Sequence, residues 1–297
     1  MTEIYFKRKL LFVINPKAGT RAKSDIPQKI SQIIDKSIFD YSVVYTERAG
    51  HATELAEKAS QSDCYAVIAT GGDGTVNEVM QGLVNSNTAL GILPFGSGNG
   101  LARFLQVPMQ LEKALQFINE SVTTSIDVCA LNNHLFVNVA GTGFDAHIGH
   151  VFAQQKGRGL KTYITSAVKE FNDYQSESYR IEVDNQTIEK EAFMVSFANS
   201  SQFGNNAHIA PQADIQDGLV DICIMKPMKW LQVPHLVSSL FMKSLHQTKL
   251  VEIIKTNKAT IYRKKPGPIH IDGEPLFEEE KLEVKVYNKA LKVLIAE

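Results

Sequence analysis

The chain lacks the features that would place it in several large protein classes. It holds only 3 cysteines in 297 residues, Cys64, Cys129 and Cys223. They lie far apart in apolar, strand-like segments, so the expectation is buried thiols in a reducing cytoplasm, with no disulfide framework or cysteine metal site. Net charge is nearly absent: 31 Lys and Arg oppose 32 Asp and Glu, leaving a formal −1. No global basic field draws the protein to nucleic acid, and any anionic surface has to be met by a local patch. Long apolar runs are missing as well. Leu10–Ile14 and Ala66–Ala69 fall far short of the roughly 18 residues of a membrane helix, so no span is expected. Met1–Lys9 mixes Lys7, Arg8 and Lys9 with Glu3 and enters Leu10–Ile14 without a small-residue cleavage site, which predicts a strand and no signal peptide.

What is present is ordinary globular composition, 44% apolar and 21% charged, with length for about two domains. The first part alternates short apolar runs (Leu10–Ile14, Tyr41–Thr46, Tyr65–Thr70, Leu90–Leu93) with helical periodicity at Ile26, Ile30, Ile33 and Ile34 and at Val76, Val79, Met80, Leu83 and Val84. Alternating strands and amphipathic helices predict right-handed βαβ crossovers and a parallel sheet. Near residue 122 the texture changes to paired strands around turn signals. Ser125–Leu131 and Leu135–Ala140 flank Asn132-Asn133, and Tyr179–Val183 and Glu191–Ala198 flank Asp184-Asn185. Further strands are expected at Leu219–Met225, Val251–Lys255, Ala259–Tyr262, Ile269–Ile271, Leu282–Tyr287 and Leu291–Ile295, and helices near Leu160–Tyr174 and Leu231–Leu245. An α/β domain followed by a mostly antiparallel β domain results.

In open parallel sheets, ligands bind beyond the carboxyl ends of the strands. The unusual residues collect there: Asn15-Pro-Lys-Ala-Gly19, Thr46 ahead of Gly50-His51-Ala52, Gly71-Gly-Asp-Gly-Thr75, and Pro94-Phe-Gly-Ser-Gly-Asn-Gly100. Glycines let amide N–H groups approach phosphate oxygens, and a helix starting at Thr75 adds the positive end of its dipole. Any one loop alone could be an ordinary βα turn; four at one edge predict an anion cradle. Asp73 inside it would repel phosphates unless a cation intervenes, which points to Mg²⁺ with a nucleoside triphosphate. Walker A is absent, which excludes a P-loop NTPase. Gly141-Thr-Gly-Phe-Asp-Ala146 fits a dinucleotide fingerprint on paper but lacks the βαβ context. His147 and His150 stand at i, i+3 with no further ligands for zinc, and are expected as surface or packing residues. His51 is open between a helix-start role and a nucleotide contact.

Gly71-Gly-Asp-Gly-Thr75 with Asn77-Glu78, Asn15-Pro-Lys-Ala-Gly19, Pro94-Phe-Gly-Ser-Gly-Asn99 and Asp272-Gly-Glu274 together resemble the diacylglycerol kinase and sphingosine kinase superfamily, most nearly its soluble bacterial lipid kinases. The resemblance spans essentially the whole chain. It implies an N-terminal three-layer α/β nucleotide-binding domain, NAD kinase-like, over 1–122 plus about 281–297, and a C-terminal antiparallel β-sandwich that holds lipid over 123–280. Carried over by motif, ATP would be bound by Asn15, Thr46, Gly72, Asp73, Gly74, Thr75, Val76, Asn77, Glu78 and Ser97. Ser97 stands where many bacterial members have Thr. Gly96-Ser-Gly-Asn-Gly100 also departs from their usual Gly-Thr-x-Asn-Asp and is closer to sphingosine and ceramide kinases.

The implied activity is ATP- and Mg²⁺-dependent transfer of the γ-phosphoryl group to the hydroxyl of diacylglycerol or a related lipid, in a cleft between the domains. A sphingoid-base or ceramide-type kinase, an NAD kinase and a non-catalytic lipid or nucleotide regulator remain as alternatives. Glu274 is the first candidate for the base, on a tight turn at Gly273 that would present both Asp272 and Glu274; Asp73 is its rival. In Asp214-Ile-Gln-Asp217-Gly-Leu219, oxygens at i, i+3 and i+5 suit a hard cation, and the resemblance implies a structural Mg²⁺ held by Asp217 with the carbonyls of Asp214 and Leu219. From spacing alone, a plain Asp-Gly turn is the other reading. Trp230, Leu231, Leu236, Val237, Leu240, Phe241 and Leu245 fit either a helix face packed on the β domain or one that meets a bilayer, with Lys229, Lys243 and His246 beside it. Arg263-Lys-Lys265 offers a small basic patch for headgroups. The expected partner is thus a lipid reached by transient contact of a cytoplasmic protein with a membrane surface, and not nucleic acid. The oligomeric state is left open, a homodimer included.

Overall fold

The computed structural model describes residues 7–19, 25–153 and 160–297. Met1 to Phe6, the greater part of the segment on which the signal-peptide expectation rests, lie outside the described residues. The chain divides into two compact units, Met1–Ile126 with Lys289–Glu297, and Asp127–Asn288.

The first unit runs β1 (Arg8–Ile14), α1 (Ile26–Ile33), β2 (Phe39–Tyr45), α2 (His51–Ser60), β3 (Ala66–Gly71), α3 (Asp73–Leu83), β4 (Ala89–Pro94), α4 (Gly100–Phe104), α5 (Leu111–Glu120) and the start of β5 (Val122–Leu131). Its strands are parallel in the order β2-β1-β3-β4. Every residue of β3 and β4 is buried, as in a sheet covered on both faces. The apolar stripe expected on α3, Val76, Val79, Met80 and Leu83, is buried. Helices α2 and α3 approach at Gly82, where a Cβ would lie 2.5 Å from Thr53 O.

The second unit continues with β6 (His134–Phe136), β7 (Val139–Gly143), α6 (Phe144–Ala153), α7 (Leu160–Phe171), β8 (Glu177–Val183), β9 (Gln186–Ala192), β10 (Met194–Ala198), β11 (Gln202–Gly204), β12 (Ala207–His208), β13 (Val220–Met225), α8 (Val233–Phe241), β14 (Val251–Thr256), β15 (Lys258–Tyr262), β16 (Gly267–Ile271), β17 (Glu274–Glu278) and β18 (Lys281–Ile295). An antiparallel sheet β14-β13-β10-β7-β16-β17 packs one face on strands that include β8 and β15. Phe136, Tyr179, Ile181, Phe197, Ile222, Ile261 and Ile269 fill the space between them. On the sheet's other face, Phe193, Met194, Cys223 and Met225 pack with Phe144, Phe171, Leu236 and Leu240 of α6, α7 and α8. All three cysteines are free; burial raises the Cys129 and Cys223 thiols well above their ordinary value.

Two expected strands are split and two others are joined. Leu135–Ala140 splits into β6 and β7 because the Asp272 carboxylate takes the N–H groups of Val137, Asn138 and Val139. Glu191–Ala198 splits at Phe193, whose N–H goes to Met225 O, so that β9 pairs with β8 and β10 joins the six-stranded sheet. The two final segments form one strand, β18, with Lys289 in the left-handed region at φ 51°. The boundary between units falls inside that strand, at Asn288/Lys289, rather than near 281. The earlier one lies inside β5, at Ile126/Asp127, rather than at 122.

Candidate functional site

In the first unit the four carboxyl-edge loops continue the hydrogen bonding of the sheet. Asn15 N donates to Thr70 O (3.0 Å), Thr46 N to Ile14 O (2.9 Å) and Phe95 N to Gly71 O (2.7 Å). Glycine then lets the loops close on one another. A Cβ on Gly96 would lie 2.6 Å from Gly72 Cα, and one on Gly19, at φ 62°, only 1.9 Å from Phe95 O. Asn15 Nδ2 donates to Thr75 Oγ1 (3.0 Å), tying the first loop to the start of α3.

Asp73 does not stand alone in this cradle. Its Oδ2 accepts Asn99 N (2.9 Å) and its Oδ1 accepts Gly100 N (2.8 Å). Asn99, left-handed at φ 50°, closes the loop on itself: its Oδ1 accepts Gly96 N and its Nδ2 donates to Gly96 O. Arg103 Nε donates to Gly98 O (3.1 Å). The carboxylate is therefore the clamp between two glycine loops, and the first turn of α3, with N–H groups that have no intrahelical acceptor, opens beside it. Thr75, Val76 and Asn77 are buried, Thr46 is half-buried and Ser97 exposed. Glu78 Oε2 accepts Ala52 N (3.2 Å), capping α2. The bond ties α3 to the start of α2. His51 Nδ1 accepts Glu47 N at the start of α2, the helix-start role. Arg103 was not singled out by sequence reasoning; an arginine shortly after the glycine loop was the available signal.

In the second unit, β16 and β17 are joined by Asp272 (φ 48°) and Gly273 (φ 89°), a two-residue turn of the type that suits strand twist. It does not present both carboxylates. Asp272 turns inward, 7% exposed, to accept the three N–H groups of residues 137–139; Glu274 is the exposed one.

The same sheet carries a polar row that sequence reasoning missed, because its members come from three elements far apart in the chain. Ser196 and His270 flank Gly141 across β10, β7 and β16. Asp145 of α6 reaches over Gly141, and its Oδ2 meets His270 Nε2 (3.0 Å) and Ser196 Oγ (3.1 Å). Gly141 makes the room: a Cβ there would sit 2.8 Å from Asp145 Oδ2. His147 Nε2 pairs with Glu170 Oε2 (3.0 Å). A cavity of about 990 Å³ nearby is lined by Thr142, Tyr174, Lys264, Lys265 and Phe277. Arg263 lines the same cavity but is no surface cation. It is 6% exposed and donates to Thr142 Oγ1 and to the carbonyls of Gly267, Pro268, Glu278 and Glu279.

The turn expected to hold a metal already holds a cation. Lys255 Nζ lies 3.4 Å from Asp217 Oδ2, 3.3 Å from Asp221 Oδ1 and 3.1 Å from Gln212 O. Asp217 Oδ1 accepts Leu219 N, and Asp214 Oδ1 accepts Gln216 N. A divalent ion on Asp217 would have to displace the ammonium, so the donor set of Asp214, Asp217 and Leu219 does not fit a dedicated metal site. Burial raises the Asp221 carboxyl above its ordinary value, with Lys255 opposing.

A parallel sheet with a glycine-lined carboxyl edge, carried on one chain with an antiparallel sandwich, is the architecture of NAD kinase-like phosphotransferases. Residues 9–131 match the diacylglycerol kinase catalytic domain, and residues 138–295 the YegS C-terminal NAD kinase beta sandwich-like domain. The chain is 31% identical over 246 residues to a "Probable lipid kinase YegS-like" of Chromohalobacter salexigens, covering 80% of this chain and 78% of that protein. It is 27% identical over 231 residues to a diacylglycerol kinase of Staphylococcus haemolyticus, covering 76% and 70%. A crystal structure of a diacylglycerol kinase from Bacillus anthracis shares the fold, with a TM-score of 0.75, 22% identity and 97% of each chain covered. This chain belongs to the diacylglycerol kinase family of YegS-like lipid kinases, and it is a kinase.

Proposed function

We propose that this kinase transfers the γ-phosphoryl group of ATP to the hydroxyl of diacylglycerol or a closely related lipid. The observation that carries the reading is the clamp of Asp73 on Asn99 and Gly100, which seats the glycine loop of β4 against the start of α3. Asn15, Thr46, the α3 entry from Gly72 to Glu78 and Ser97 would contact the nucleotide. Their backbone N–H groups and hydroxyls suit phosphate, and the missing Cβ atoms leave it space. Mg²⁺ would enter with the phosphates, faced by Asp73, and would neutralise charge on the transferred group.

The acceptor hydroxyl must lose its proton as the phosphoryl group arrives. Glu274 is the exposed carboxylate of the family motif and would accept that proton late in the transfer. The second unit would hold the lipid. Its two-sheet interior is filled by Phe136, Tyr179 and Phe197, so the cavity beside Tyr174 and Phe277 is the better place for an acyl chain. The loop Gly96-Ser-Gly-Asn-Gly100 favours a second acceptor class, sphingoid bases or ceramides.

Labelled phosphate transfer from ATP to a panel of diacylglycerol, monoacylglycerol, phosphatidylglycerol, sphingoid base, ceramide and NAD tests both. Diacylglycerol is the expected product-former. Transfer to NAD alone, or ATP binding without transfer to any lipid, would overturn the reading.

A further inference from the structure

Among the described residues, large apolar side chains are exposed at few places, and one segment gathers the greatest share. Around the turn Trp230–Gln232 and helix α8, the exposures are Trp230 47%, Leu231 88%, Val237 44%, Phe241 52% and Met242 74%. The helix is not loose. Leu236 and Leu240 pack inward against the cluster of Phe193 and Met225, Ser239 is buried, and Trp230 meets the Phe171 ring at 5.4 Å. The sequence left open whether this face packs or stays free, and it does both: one side anchors the helix and the other is bare.

The charge carried by this segment has one sign. From Ile222 to Val251 there is no Asp or Glu, while Lys226, Lys229, Lys243 and Lys249 are all exposed. This occurs in a chain whose acids and bases otherwise balance. Lys243 follows the helix in the left-handed conformation at φ 56°, a position where glycine is usual, so a cation is kept next to Met242 at some backbone cost.

We propose that the Trp230–Met242 face docks the protein onto an anionic lipid bilayer, with Trp230, Leu231, Phe241 and Met242 entering the interface and the four lysines meeting the headgroups. An apolar face on a segment whose charged side chains are all cations complements a surface that is apolar beneath and negative above. A second copy of this chain is the poorer complement, since it would set lysines against lysines with no acid in the segment to pair them. Continuity with the lipid cavity supports the assignment. Phe171, which touches Trp230, lies three residues before Tyr174, which lines the cavity. The inference rests on reading the chain as a lipid kinase and adds the surface by which the lipid is reached.

The chain contains a single tryptophan, and it lies on this face. With phosphatidylcholine vesicles containing phosphatidylglycerol, Trp230 emission should shift to the blue and the protein should float with the vesicles. With phosphatidylcholine alone, binding should be at least about tenfold weaker, since each lysine near an anionic surface is worth about a fivefold change in partition. Leu231→Glu with Met242→Glu should abolish the shift and slow turnover on vesicles, yet leave turnover of a water-soluble short-chain diacylglycerol unchanged. A wild-type protein that phosphorylates the short-chain lipid but binds neither vesicle overturns the docking inference and leaves the kinase reading standing. Vesicle binding without phosphorylation of any lipid overturns the kinase reading instead. A concentration-dependent dimer abolished by the double variant, or a blue shift with polyglutamate and none with vesicles, would give the face to a second copy or to an acidic protein.

Discussion

Gly72 and Gly96 meet backbone to backbone: a Cβ on Gly96 would stand 2.6 Å from Gly72 Cα, and one on Gly72 would stand 3.1 Å from Gly96 Cα. Two loops from β3 and β4 are thereby brought as close as main chain allows, and the Asp73 carboxylate bridges them through Asn99 and Gly100. The edge of the sheet becomes a rigid rim of amides.

Gly96→Ala should force this pair apart, because the obstacle is backbone and cannot rotate away. Overpacking of this kind costs about 1–3 kcal/mol. Chemical denaturation should report that loss, and calorimetric titration with a non-hydrolysable ATP analogue should show affinity lowered by about tenfold or more, since 1.4 kcal/mol is tenfold in an equilibrium constant.

Asp73→Asn preserves shape but turns one acceptor into a donor facing an N–H. The loss of one charge-assisted bond is worth about 1.5–3 kcal/mol. Steady-state kinetics should show turnover falling by about a hundredfold or more, with weaker ATP binding if the clamp is the whole role. Unchanged ATP affinity with lost turnover would assign Asp73 to the chemistry itself.

Glu274→Gln and Asp272→Ala separate two carboxylates that the sequence treats as a pair. Glu274 is exposed, so its amide variant should keep its stability within about 0.5 kcal/mol and lose about 10²–10⁴ in turnover. Asp272→Ala strands three buried N–H groups and should destabilise the protein by about 2–4 kcal/mol. Equilibrium unfolding beside a phosphotransfer assay on each variant checks both.

The Lys255 cluster makes a prediction about metal and about pH. Removing Mg²⁺ with a chelator should stop phosphoryl transfer while leaving the melting temperature unchanged, because Lys255 supplies the cation at Asp217 and Asp221. Asp221 has a folded-state pKa raised above its ordinary 3.8, chiefly by burial, and its Oδ2 has no hydrogen-bond partner among the described residues. Such a group favours folding below the unfolded value, and that contribution is lost as pH rises through the folded one, leaving a standing penalty at neutral pH. Asp221→Asn should therefore raise the melting temperature relative to wild type near about pH 7, and the difference should shrink toward about pH 4. Thermal scans across that range decide it.

Much of the first unit was legible because its signals are local. The apolar runs of β1 to β4 and the 3.6-residue stripe of α3 are properties of neighbouring residues, and the carboxyl-edge rule then puts Asn15, Thr46, Gly72 and Ser97 on one rim. The bond from Ala52 N to Glu78 escaped this reasoning because the two residues belong to different helices. Asp145, His270 and Ser196 escaped it for the same reason, being assembled from α6, β16 and β10.

By itself, the sequence determined the alternation of strands and helices, the change to hairpins in the second half, and the motifs that place the chain in its family, since each depends on spacing within a short stretch. Tertiary structure alone decided which way the polar groups turned. Asp272 faces inward and breaks a strand, because the N–H groups it satisfies lie more than 130 residues away. Lys255, not an ion, fills the acidic turn because β14 runs beside β13. The outer side of α8 is bare because it is Leu236 and Leu240, on the opposite side, that pack on the cluster of Phe193 and Met225. A period can say that a helix has two faces; only its neighbours say which of them is covered.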